Sequence, residues 1–244
     1  MAGWLPLVLN ENDAKRHAAY SLFISASTSF NNITLQHRHK HSFLRWLAVA
    51  SSAGNWMADY DLIPMQLRPK QTTQLPYEGN LTVYAQHTPC LVSGSVDEYN
   101  RIIDILYNTL KANMPTPYYP DNSFMWNDML ALKDIYHTTG AFHSLSQVTN
   151  FRQIYNHQYK CDSIQPHIKA IHFSPYDIDL LYKQNLISKM DAMDHLLFYR
   201  WFEEYNKLCS NSRKHFYFDD YFEARIDIKP LTNLRILTLG SRYV

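Results

Sequence analysis

Strand-like alternation near both ends of the chain, with helical stripes of apolar residues between them, predicts an α+β fold: an antiparallel β-sandwich or sheet core flanked by several helices. No internal repeat, low-complexity tract or charge block interrupts the 244 residues, so solenoid and disordered-tail architectures drop out. At 46% hydrophobic, a chain of this length buries a sizeable core as a single domain over residues 1–244.

The first alternating run is YSLFISAS (20–27), in which Tyr20, Leu22, Ile24 and Ala26 oppose Ser21 and Ser25. ITLQHRH follows after the turn-like SFNN, which predicts a hairpin. Ser42 then caps a helix that sets Phe43, Trp46, Leu47 and Ala50 on one face and ends near Gly54. LTVYAQ (81–86) and CLVS (90–93) read as two short strands.

Ser95 with Glu98 three residues on forms a capping box ahead of Tyr99, Ile102, Ile103, Leu106 and Leu110, a helical stripe that must stop before Pro115. The prolines at 115, 117 and 120 make residues 113–123 an extended connector, the natural internal boundary if the chain divides. A helix follows over about residues 123–137, and Ser174 with Pro175 starts a short one. Ser188 and Asp191 open a longer helix carrying Met190, Met193, Leu197, Trp201 and Leu208. FEARIDI and LRILTL alternate cleanly on either side of KPLTN and predict a C-terminal hairpin with one wet face.

Charge excludes several function classes. With 23 basic and 22 acidic side chains there is no global footprint for nucleic acid or an anionic membrane. No apolar run reaches the roughly 18 residues of a membrane span, and the N-terminal MAGWLPLVLN lacks the pattern of a secretory leader. Cys90, Cys161 and Cys209 are odd in number and far apart, which argues for a reducing compartment and against a disulfide framework.

The most conspicuous polar cluster is His37, Arg38, His39, Lys40 and His41. At the end of a strand its three histidines would project to one side, the spacing of a three-histidine metal site, with Arg38 and Lys40 on the other. Such a site also needs a dry pocket and commonly an acid; the nearest acid downstream is Asp59, and no HExxH pattern exists. The cluster is therefore read as an anion- or partner-contact edge rather than a metal site. Asp219, Asp220 and Asp227-Ile228-Lys229 bring metal-dependent nucleases to mind, but Asp227 falls on the polar face of an amphipathic strand. SRKHFYF (212–218) and the terminal LGSRYV mix basic and aromatic residues, as a base-stacking surface or a protein contact would. No phosphate-binding glycine loop or nucleophile elbow is present.

Composition itself carries a prediction. Eighteen tyrosines in a chain of net charge +1 favour close packing of copies near neutral pH. In strong base only the arginines stay positive, while the carboxylates, tyrosines and cysteines are all negative. Tyrosines buried at contacts would then be released steeply.

Several strings resemble the polyhedrins of cypoviruses, proteins that crystallise around virions inside infected insect cells. QLPYEGNLTVYAQ (74–86) and AIHFSP (170–175) resemble strand segments of that family, RIDIKPLTNLRILTL (225–239) is similar to its C-terminal strands, and YSLFISASTSFNNITLQH to its first hairpin. The resemblance implies a β-sandwich with helices, and trimers packed with one another in a cubic lattice. It further implies formation of occlusion bodies in the host cytoplasm, with virions as partners, and dissolution in an alkaline gut. It also admits a bound nucleotide, for which no matching motif gives a position. On this reading the chain is a non-enzymatic, self-assembling structural protein without a metal or other cofactor. The alternatives are a nucleic-acid-binding subunit of viral or mobile-element origin and a metal-dependent hydrolase.

Overall fold

The computed structural model describes residues 7–29, 37–65, 74–112, 127–156 and 167–187. In chain order its elements are α1 (Glu11–Lys15), α2 (Tyr20–Ser29), α3 (His37–Ser51), β1 (Asn55–Ala58), β2 (Leu62–Pro64), β3 (Thr82–Ala85), β4 (Thr88–Gly94) and α4 (Val96–Ala112), followed by α5 (Asp128–Thr139), β5 (His143–Ser144), β6 (Val148–Asn150), α6 (Phe151–Asn156), β7 (Ala170–His172) and α7 (Pro175–Lys183). The fold is α+β. No helix among the described residues is long and apolar enough to cross a membrane. The connector at 113–123, the helix expected after Ser188 and the C-terminal hairpin lie outside the described residues.

The chain packs as two compact units. The larger takes its described residues from 7–58 and 74–145 and holds a sheet of order β1-β4-β3-β5 together with helices α1 to α5, of which α4 and α5 touch β4. The smaller takes 59–65, 146–156 and 167–187 and holds a sheet of order β2-β7-β6 with α6 and α7. Each sheet is mixed rather than purely antiparallel: β5 runs parallel to β3, and β6 parallel to β7. Parallel neighbours need a crossover, and helices supply it, α4 and α5 in the larger unit and α6 in the smaller.

In the larger unit the local signals at β3, β4 and α4 hold. Residues Gln86 and His87 turn the β3–β4 hairpin, with Gln86 at φ 59°. Half of the expected capping box forms: the Glu98 amide donates to Ser95 Oγ at 3.3 Å. The Glu98 carboxylate turns elsewhere and accepts from the Leu81 amide at 2.9 Å, while the Ser95 amide donates to the Gly79 carbonyl at 2.8 Å. The cap of α4 thereby becomes a tie to the start of β3.

The first expected hairpin is corrected. Residues Tyr20–Ser29 form a helix, and His37 begins another. Phe23 and Ala26, three apart, are the buried positions over residues 20–26 of α2, whereas Leu22 is 48% exposed, so the alternation did not mark the buried face. Phe23 packs its ring 6.0 Å from that of Phe43 on α3 and 5.5 Å from that of Tyr107 on α4. Isolated, so short a helix is marginal; tertiary burial decides it. Ser42 does not cap α3, which starts five residues earlier, and instead accepts from the Asp128 amide at 3.4 Å.

Around Asp128 the larger unit closes. The Asp128 carboxylate, on an aspartate 3% exposed, accepts from Trp46 Nε1 at 2.9 Å and from Arg45 Nε and Nη2 at 2.8 and 2.7 Å, all on Oδ2. Trp46 packs its rings 5.9 Å from Tyr99 of α4, and the Tyr99 hydroxyl donates to the Asn55 carbonyl at the start of β1. Gly54, at φ 69°, precedes that strand where a Cβ would lie 2.8 Å from the Val96 nitrogen. Only glycine fits there.

Replacing Asp128 with alanine strands a buried indole N–H and a partly buried guanidinium, and is expected to cost about 3 to 5 kcal/mol in denaturant unfolding. A second expectation concerns base. Burial holds the Tyr99 phenol well above its ordinary range, burial raises Tyr84, and burial with the Glu11 hydrogen bond raises Tyr20 to about 12. An unfolded phenol ionises near pH 10, so above that pH the native chain holds protons the unfolded chain has released, and stability falls as pH rises. Circular dichroism followed through an alkaline titration should therefore show unfolding at the basic end, and Tyr99→Phe should move that transition to higher pH.

Candidate functional site

The structure places the sequence-predicted cluster on a helix. His37, Arg38, His39, Lys40 and His41 form the first turn and a half of α3. On a helix positions two apart are turned by about 200°, so the strand spacing of a three-histidine site does not apply to this segment. Lys40 reaches Glu11 of α1 at 3.6 Å, and His41 is 8% exposed. Asp219, Asp220 and Asp227 lie outside the described residues.

A different set converges in the smaller unit. The Leu62 amide donates to the Asp59 carbonyl at 3.2 Å, closing a tight turn over Tyr60 and Asp61 that leads into β2. Two carboxylates thus stand at the first and third positions of one turn. Opposite, β7 pairs antiparallel with β2 in a register that sets His172 across from Leu62, and the Phe173 amide donates to the Asp61 carbonyl at 2.9 Å. The ladder and this bond bring the imidazole to the turn: His172 Nε2 lies 3.4 Å from Asp61 Oδ1 and 3.9 Å from Asp59 Oδ2. One donor atom from each of the three residues falls within 4.8 Å of the others.

Apolar packing backs the cluster. Phe151 and Phe173 are buried with ring centroids 5.1 Å apart, and Ile63, Ile171, Ala170 and Leu181 are buried in the same unit. Ser174 caps α7 by accepting from the Tyr176 amide at 3.2 Å, which places Asp177 in the first turn of that helix. Burial pushes the Asp177 carboxyl up, and the charges of His172 and Arg152 pull it partly back. Asp61 is 6% exposed, and its Oδ1 is buried without a hydrogen-bond partner.

The larger unit has a cleft of about 220 Å³ lined by Glu98, Arg101, Gly140, Phe142 and His143 among others. Its charged groups are used internally. Arg101 donates to Glu98 at 2.8 and 2.6 Å and to the Ala141 carbonyl at 2.6 Å, and the Arg101 hydrogen bonds hold the Glu98 carboxyl below its usual range. Tyr77 stacks on His143 at 4.3 Å. The cleft is a tie between α4 and β5 with its charged groups already paired.

The sequence pattern missed Asp61 and His172 and noted Asp59 only as a distant acid. The D-x-D string ahead of a short apolar run was the available signal, but nothing local connects it to a histidine in AIHFSP. Comparison with known proteins finds no matching family model, no matching curated protein and no matching solved structure.

Proposed function

We propose that this chain is a non-enzymatic structural subunit that assembles with copies of itself, in its most specific form the matrix protein of a viral occlusion body built in the host cytoplasm. The observation that carries the proposal is the character of the exposed surface. Of the ten large apolar side chains exposed among the described residues, five are tyrosines: Tyr60, Tyr77, Tyr136, Tyr176 and Tyr182. They occur in both units.

Tyrosine covers contact area at low entropic cost and keeps a hydroxyl for hydrogen bonding, so it suits surfaces that alternate between water and another protein. A net charge of +1 leaves little repulsion between copies. A phenol buried at such a contact stays neutral past its ordinary pKa near 10, then ionises and releases the contact. The trimer, the cubic lattice, the sandwich core and the enclosed virions belong to the same proposal, through the strings that resemble cypovirus polyhedrins. The rival nucleic-acid and nuclease readings rest on residues 212–229 and the terminal LGSRYV, outside the described structure.

Light scattering and circular dichroism recorded together across pH test the proposal. The expected result is large particles at neutral pH that dissociate in base before the secondary structure is lost. Tyr136→Ser combined with Tyr176→Ser should weaken assembly at neutral pH while leaving the fold intact. A stable monomer at neutral pH, or particles insensitive to both substitutions and to base, would overturn it.

A further inference from the structure

We propose that Asp59, Asp61 and His172 bind one divalent transition-metal cation, with zinc the best match to the donor set. The proposal concerns the smaller unit alone and stands apart from the assembly reading.

Three observations carry it. First, two carboxylates and an imidazole present oxygen and nitrogen donors from a tight turn and the end of a paired strand, two backbone segments held together by the β2–β7 ladder and by the Phe173–Asp61 bond. Imidazole with carboxylate suits first-row divalent cations, whereas calcium and magnesium favour all-oxygen shells with more ligands.

Second, the separations come close to those of a bound ion, with all three donor atoms within 4.8 Å of one another. Two ligands on a tetrahedral ion with bonds of about 2.0 to 2.1 Å stand about 3.4 Å apart. The Asp61 Oδ1 to His172 Nε2 distance is 3.4 Å, and the 3.9 Å to Asp59 Oδ2 closes with a small rotation of a side chain that is 27% exposed. Three protein donors leave a fourth position for water or a substrate, as in open zinc sites.

Third, Asp61 Oδ1 itself asks for a partner. The Asp61 side chain is 9% exposed, and this oxygen makes no hydrogen bond although the histidine nitrogen is only 3.4 Å away. Close approach without hydrogen-bond geometry is what two ligands aimed at a common third atom show, and a buried carboxylate oxygen is seldom left unsatisfied. The two carboxylates also present two negative charges for a dication to balance, with Asp177 and Arg152 the nearby charged groups that bear on the site.

The test uses the full chain, stripped with a chelator and titrated with zinc by calorimetry and with cobalt by visible absorption. One equivalent of zinc should bind. Cobalt should give a ligand-field spectrum of tetrahedral intensity, and zinc should raise the thermal midpoint. Asp61→Asn and His172→Gln should each weaken zinc binding by at least about tenfold. Should either variant fail to fold by circular dichroism, Asp59→Asn, at the more exposed carboxylate, provides the same readout. Absence of saturable binding at millimolar zinc overturns the proposal. So does binding of undiminished affinity in folded variants, which would place the ion elsewhere, for instance on the segment carrying His37, His39 and His41.

Discussion

The larger unit depends on one buried carboxylate. Asp128 opens α5, and its Oδ2 gathers the indole of Trp46 and the guanidinium of Arg45, both from α3. Such an arrangement is costly to build, because the charge must leave water, and it is held only because three N–H donors surround it at hydrogen-bonding distance. Once Trp46 is fixed, its ring sets the place of Tyr99, whose hydroxyl then fixes the entry to β1. Helices and sheet are thereby joined through one chain of contacts. The amide of Asp128 adds a second link to α3 through Ser42.

The smaller unit is organised differently. Its three-stranded sheet is short, and its order comes from pairing β7 between β2 and β6, with the buried rings of Phe151 and Phe173 in contact in the same unit. The same ladder that buries Ile63 and Ile171 delivers His172 to the turn at Asp59 and Asp61. Three donors meet there because of strand register, which admits no one-residue slip without turning the imidazole to the opposite face. Fold and site are thus one constraint in this unit, and the tyrosines that carry the assembly proposal lie on the surfaces that these contacts leave exposed.

Much of the fold was legible where short-range rules agree with long-range packing. Ser95 and Glu98 ahead of an apolar stripe at helical spacing marked α4, and Ser174-Pro175 marked α7. The two short strands at 81–86 and 90–93 followed from β-rich runs, and the structure pairs them as a hairpin. Where two periods compete, the local reading failed. In YSLFISAS the alternation of Tyr20, Leu22, Ile24 and Ala26 is real, but of these only Ala26 is buried and it shares its face with Phe23, and the choice between periods is made by aromatic neighbours on α3 and α4. The histidine cluster inherited that error, since a strand assignment one segment upstream carried its geometry with it.

By itself the sequence determined the α+β class, the caps and turns whose signals are complete within a few residues, and the near-neutral, tyrosine-rich character of the chain. Tertiary structure alone decided that residues 20–29 are helical, that Glu98 serves β3 as well as its own helix, that the sheets contain parallel pairs, and that His172 meets Asp59 and Asp61. The division has a physical origin. Caps and turns are satisfied by neighbours along the chain, whereas a face is buried, or a donor brought to an acceptor, only by segments that sequence distance keeps apart until the core forms.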